Sequence, residues 1–191
     1  MFVHKTIHEF LASLFIAMNQ TDIEDILNAI QSVYCDSKSL LDIGQLFIFT
    51  CGMCAQAANR MSMHIMDVIT CDIERMLHSS SDPEAVLVRS INAAQNIILD
   101  GFIEGAANEQ SCLQLTIRHI VFDIFYQKNE KYKDALNTLI DMNISNIISI
   151  YAQFLQYLIS IHIAYRILFH NQEKHCRICG FQTWVKYTYR V

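Results

Sequence analysis

Apolar side chains recur at three- and four-residue steps over most of this chain, beginning with Ile7, Phe10, Leu11, Leu14, Phe15 and Met18. At about 100° per residue that spacing gathers them on one face of an α-helix, whereas a half-buried strand needs strict alternation. Turn-forming residues are scarce: five Gly and one Pro in 191 residues leave little material for the hairpins of a β-rich fold. The expected fold class is all-α, a compact multi-helix bundle of about six or seven helices with a short C-terminal strand and knuckle.

The helices can be placed by their start and stop signals. Thr21-Asp22-Ile23-Glu24 has capping-box form and predicts a second helix through Ile26, Leu27 and Ile30 to about Tyr34. Ser37 or Ser39 opens the next apolar segment, which runs to Leu77 with weak points at Gly44 and Gly52. Asp82-Pro83 predicts another helix start, with an end near Gly101 or Gly105. A further helix is expected from Cys112 to Tyr126, and a central apolar one over residues 136–169.

That last stretch is apolar enough to raise the question of a membrane span, which needs about 20 apolar residues. Ser145, Ser149, Gln153, Gln156 and Ser160 step by three or four and would form one polar stripe on such a helix. Polar groups in lipid are costly, so a buried helix of a bundle is the expectation rather than a span. Beyond it the rhythm changes: Phe181, Thr183, Val185, Tyr187, Tyr189 and Val191 alternate with Gln182, Trp184, Lys186, Thr188 and Arg190, the period of a strand. The expected organisation is a helical domain over 1–169 and a basic, aromatic tail over 170–191. A lone strand is unstable in water, so this one must pair with something.

Charge follows the same division. Of the net charge of -5, the tail carries +3, from Lys174, Arg177, Lys186 and Arg190 against Glu173, and the rest carries -8. An acidic body disfavours polyanions overall while leaving the tail free to contact one. At 52% hydrophobic and 17% charged, against roughly 25% charged for an ordinary domain, the chain must bury much of its surface internally or against a partner. Seven cysteines, an odd number without framework spacing, point to a reducing compartment, cytoplasmic or nuclear. The apolar run from Phe10 to Met18 has Lys5 as its sole upstream fixed cation and no A-x-A-like cleavage site after it, so a helix is expected there rather than a secretory leader.

Two Cys-x-x-Cys motifs remain. Cys51-Gly52-Met53-Cys54 follows the apolar run Leu46 to Phe49, and over nine residues it is similar to the thioredoxin family, where a thiolate sits at a helix N-terminus. That resemblance implies a dithiol oxidoreductase, but no Trp precedes Cys51 and the flanking strand order is missing. Cys51, Cys54, Ala55, Ala58 and Met61 also recur at helical steps, so core packing is the competing expectation and the favoured one.

Cys176-Arg177-Ile178-Cys179-Gly180-Phe181 resembles a zinc knuckle, in which two thiolates grip one ion, a glycine makes the turn and an aromatic covers the site. A closed zinc site takes four ligands, and three sources could complete it: His170, the i,i+4 pair His4 and His8, or Cys51 and Cys54. No nucleophile-and-base pattern, Gly-rich phosphate loop or H-E-x-x-H motif occurs. The expected function is that of a non-enzymatic, intracellular helical interaction or adaptor protein, bound to a protein partner or to itself, with a zinc-stabilised tail. Trp184, Lys186, Tyr187 and Arg190 of the tail are the candidate partner-binding residues, and the alternatives are a dithiol oxidoreductase at Cys51/Cys54 and a nucleic-acid binder acting through the tail, with Phe181 and Tyr189 added for stacking.

Overall fold

The computed structural model describes residues 2–79, 83–122, 129–153 and 177–181. They form seven α-helices and a three-stranded sheet, the helical bundle with a small strand element that the patterning implies. The chain divides into two compact units, Met1–Thr116 and Ile117–Val191. The boundary expected at 169/170 lies outside the described residues.

In the first unit α1 spans Phe2–Met18, and after a 3-10 turn at Gln20–Asp22 come α2 (Ile23–Val33) and α3 (Ser37–Leu41). Then follow α4 (Gly44–Met53), α5 (Ala55–Ser79) and α6 (Pro83–Ala107). The predicted capping box at Thr21 does not form, because Thr21 is consumed in the 3-10 turn and Asp22 stands at the cap without a side-chain bond. The box occurs instead at Asp36, whose Oδ1 accepts from the Ser39 backbone N–H at 2.8 Å while the Asp36 backbone N–H donates to Ser39 Oγ at 3.4 Å. Pro83 begins α6 as expected, since its missing N–H is an orphan there anyway.

The core of this unit is built where α4, α5 and α6 meet, around Phe47, Ile65, Met66, Ile69, Ile91, Ile98 and Leu99, all nearly inaccessible to solvent. The glycines expected to end α6 lie inside it. A Cβ at Gly101 would sit 2.6 Å from Phe47 Cε1 and 2.7 Å from Cys51 Sγ, and one at Gly105 would lie 3.1 Å from the Cys51 carbonyl oxygen and collide with Leu113. The G-x-x-x-G spacing thus opens a groove that lets α4 and Leu113 approach the α6 backbone. The helix runs on to Ala107 and ends in a Schellman motif: Gln110 N–H donates to Gly105 O at 3.0 Å and Glu109 N–H to Ala106 O at 3.2 Å, with Glu109 at φ 57°.

The helix expected from Cys112 to Tyr126 is not present in the described part of that range. Leu113, Leu115, Ile117 and His119 are buried and Gln114 exposed, a period of two that marks extended chain. Its backbone is held to α5 by side chains. Asn59 Nδ2 donates to Cys112 O at 3.1 Å, Gln114 N–H to Asn59 Oδ1 at 2.7 Å, and Thr116 N–H to Ser62 Oγ at 2.9 Å. Asn59 and Ser62, three residues apart on one helix face, supply the partners that a neighbouring strand would.

The second unit holds β1 (His119–Phe122), α7 (Glu130–Asn143), β2 (Ser149–Gln153) and β3 (Arg177–Phe181), with sheet order β1-β2-β3 and both pairings parallel. The continuous helix expected over 136–169 is therefore interrupted. α7 stops at Asn143, and Ser149 and Gln153 of the expected polar stripe lie in a strand; residues 154–169 are outside the described set. Asn143 accounts for the stop. Its Nδ2 donates to Leu139 O at 2.9 Å, its Oδ1 accepts from Ile117 N–H at 3.3 Å, and its carbonyl accepts from Asn146 N–H at 2.7 Å. The buried side chain thereby ties the α7 end to the entry of β1. Parallel strands buried on both faces read as continuous apolar runs rather than alternations, which hides them among helices.

Candidate functional site

The first Cys-x-x-Cys lies at a helix junction. Cys51 is in the last turn of α4, and Cys54 leaves helical geometry at φ -147°, ψ 93°, donating its N–H to Thr50 O at 2.8 Å and accepting at its carbonyl from Ala58 N–H at 3.0 Å. One helix thus passes directly into the next. Both thiols are free and buried, Cys51 completely. Burial pushes the Cys51 thiol far above its usual range, and the neighbouring Glu104 carboxylate adds to the shift. The C-terminal end of α4 also disfavours negative charge there. This is packing chemistry, with the sulfur filling the space above Gly101.

The remaining candidates divide between exposed sites and undescribed ones. His8 is exposed on α1, and His4 is one turn earlier on the same helix. Cys179 lies in β3 opposite Tyr151 of β2, and of the alternating stretch 181–191 expected to form a strand only Phe181 is among the described residues. β3 pairs in parallel with β2, Arg177 opposite Ser149 and Phe181 opposite Gln153. His170, Cys176, Trp184, Lys186, Tyr187 and Arg190 lie outside the described residues. Among the described residues no three His, Cys, Asp or Glu side chains come together as a metal-binding group. No described helix is long and apolar enough to cross a membrane.

One constellation escaped the sequence because its members are 30 residues apart. His119 Nδ1 and Ser149 Oγ are 2.8 Å apart across the β1/β2 register. Burial, with the Arg118 charge beside it, lowers the His119 pKa to about 4, so the ring is neutral at physiological pH. Histidine and serine at this distance are the elements of a nucleophile and its base, but they are 2% and 4% exposed. At that burial the pair serves as a hydrogen bond within the sheet.

The feature that stands out on the surface is α1. Ile7, Phe10, Leu11, Leu14, Phe15 and Met18 are exposed by 38% to 75%, and their spacing places them within roughly 140° of the helix circumference. The inward face instead carries Ile16 and Ser13, both buried. Ser13 Oγ donates to Leu46 O at 2.9 Å and lies 3.3 Å from Thr50 Oγ1, which itself donates to Leu46 O at 2.8 Å. Phe10 makes the one ring contact of this stripe among the described residues, edge-on to Phe49 with centroids 5.7 Å apart. The helix is amphipathic as expected, but its apolar side faces outward. The other large exposed apolar residues are distributed over several elements, including Val33, Met63, Val86 and Met142.

Comparison with protein-family models, with curated proteins and with solved structures gives no match.

Proposed function

We propose that the protein is a non-enzymatic helical interaction protein whose docking surface is the outward face of α1, with a C-terminal tail stabilised by zinc. The observation that carries this is the rotational setting of α1. Two buried hydroxyls anchor its inner face while six large apolar side chains face solvent. At about 200 Å² for a fully exposed side chain of this size, the six display roughly 600 Å² of apolar surface, the upper limit for a typical monomer. Such patches mark sites of association.

A docking face makes a prediction about stability that an internal face does not. Replacing Leu11 and Phe15 together by Glu should leave the helical circular dichroism and the monomer's urea midpoint within about 0.5 kcal/mol of the parent, as for exposed positions. A loss of several kcal/mol would mean that the face is buried against the chain itself.

The tail's zinc would be held by Cys176 and Cys179, completed by His170, by His4 and His8, or by Cys51 and Cys54. Support comes from the order Cys-x-x-Cys-Gly-Phe. In a strand, positions three apart fall on opposite faces, so a shared ion requires the chain to leave strand geometry at Cys176. About one zinc per chain in protein purified without chelator, lost in Cys176→Ser, is the expected result; metal-free protein would remove the metal from the proposal. The free thiols Cys35, Cys51, Cys54, Cys71 and Cys112 accord with a reducing, intracellular compartment. A dithiol oxidoreductase is the poorer account, since Cys51 is inaccessible and held protonated. A nucleic-acid role would rest on the tail, through Phe181, Trp184, Lys186, Tyr187, Tyr189 and Arg190.

A further inference from the structure

We infer that the occupant of the α1 face is α1 of a second copy of this chain, the two helices packing about a two-fold axis; this rests on the proposal that the face is a docking surface. Ile7, Leu11, Leu14 and Met18 follow one another by steps of four, three and four, the a/d rhythm of a helix pair, and Phe10 and Phe15 flank the seam on either side. A stripe that is apolar along its whole length is complementary to itself, as a two-fold interface requires.

Three features favour a second copy over another occupant. The flanking positions that normally carry Glu or Lys and select a partner by charge are here His8, Phe10, Phe15 and Ala17, so nothing in the stripe specifies an oppositely charged protein. The fixed charges of the described α1 side chains, Lys5 and Glu9, sit 3.9 Å apart on the same helix and outside the seam, leaving no like-charge clash when two copies meet. With roughly 600 Å² from each copy, the pair would bury on the order of 1,200 Å², the lower bound for a stable specific interface. A membrane surface is a poorer fit, because interfacial helices carry several Lys or Arg on their polar face and α1 offers Lys5 alone.

The inward face fixes the geometry. Ser13 lies on the side of α1 away from the stripe, its Oγ 2.9 Å from Glu9 O of its own helix and 2.9 Å from Leu46 O of α4, so the contact with α4 is made through that side and the stripe is left outward. The stripe is thereby offered to a neighbour at a defined angle.

The test is mass determination by light scattering and analytical ultracentrifugation on the full chain over a range of micromolar concentrations. The expected result is a reversible species at twice the 22.1 kDa chain mass. Leu11→Glu and Leu11→Lys should each weaken it by about 100-fold or more, as for central positions of an interface. Mixing opposite charges across the seam should restore association: Leu11→Lys with Leu11→Glu if the helices run parallel, Leu11→Lys with Leu14→Glu if antiparallel. Circular dichroism confirms that each variant folds.

A parent protein that stays monomeric, or a dimer insensitive to Leu11 substitution and to the mixing, overturns the inference. Binding of the monomer to phosphatidylcholine and phosphatidylserine vesicles in place of dimerisation does so as well. If the charged variants keep their stability while the parent is monomeric, the docking face survives and only its occupant is wrong. If they lose several kcal/mol, the docking face itself falls.

Discussion

Cys51 and Gly101 face one another across the α4/α6 contact so closely that a Cβ on the glycine would lie 2.7 Å from the sulfur and 2.6 Å from Phe47 Cε1. Neither neighbour can withdraw, since both Cys51 and Phe47 are fully buried. Gly101→Ala should therefore destabilise the first unit by about 1–3 kcal/mol through overpacking, despite the gain of up to about 1 kcal/mol in helix propensity. Gly44 offers the control. The atoms nearest its Cβ would be those of the Ile97 side chain, at 3.0 Å and beyond, which can give way, so Gly44→Ala should be close to neutral. Urea midpoints of the two variants, followed by circular dichroism, make the comparison.

The end of α6 yields a prediction of opposite sign. Glu109 occupies the left-handed position of the Schellman motif at φ 57°, where a Cβ is a burden and glycine has none. Glu109 is exposed and lies two residues beyond the helix, so little packing is at stake. Glu109→Gly should stabilise the protein by roughly 0.5–1 kcal/mol, read as a rise in the thermal midpoint.

Cys51 also links stability to alkaline pH. Its folded-state pKa lies above the ordinary 9.0, so the native state holds a proton that the unfolded chain releases. The contribution is complete below pH 9 and falls as the pH rises beyond it, at a slope approaching about 1.4 kcal/mol per unit. Cys51→Ala should reduce that slope. In the native state at neutral pH a thiol reagent should modify Cys35, Cys71 and Cys112, which are exposed, and leave Cys51 untouched until the protein unfolds.

Much of the helical unit was legible because its signals are local. The start of α6 at Pro83, the end of α2 beside Tyr34 and the apolar face of α1 all follow from spacing and capping residues. What spacing cannot supply is the direction a face takes. The side by which α1 meets α4 carries Ser13, whose contact with Leu46 O spans 33 residues of sequence. The sheet is hard to read for a related reason: β1 is buried along its whole length, and such a strand shares its composition with buried helix. The alternation from Leu113 to His119 was present in the sequence, and the helix-like density of apolar residues around it outweighed it. The cysteine junction depends on Gly101 and Gly105, glycines that resemble a helix stop until their neighbours are known.

His119 supplies the clearest pH dependence of the second unit. Its pKa of about 4 in the folded state lies below the ordinary 6.5, so between these values the unfolded chain binds a proton that the native sheet refuses. The stabilisation from the neutral ring is complete above pH 6.5 and is lost as the pH falls toward 4; below that both states are protonated and the slope vanishes. The full loss is about 3 kcal/mol at most. Between pH 6.5 and 5 carboxylates titrate little, so the early part of the fall belongs to histidine. Because Ser149 bonds the ring across the strand register, the opening should appear in β1 and β2 first. Hydrogen exchange of the segments 117–122 and 147–153 should accelerate through this window while α5 and α6 remain protected. His119→Gln keeps a group able to bond Ser149 but removes the titration, so exchange in those segments should become insensitive to pH once the intrinsic rate is divided out. If the parent and His119→Gln show the same pH profile, the histidine does not govern the acid stability of the sheet.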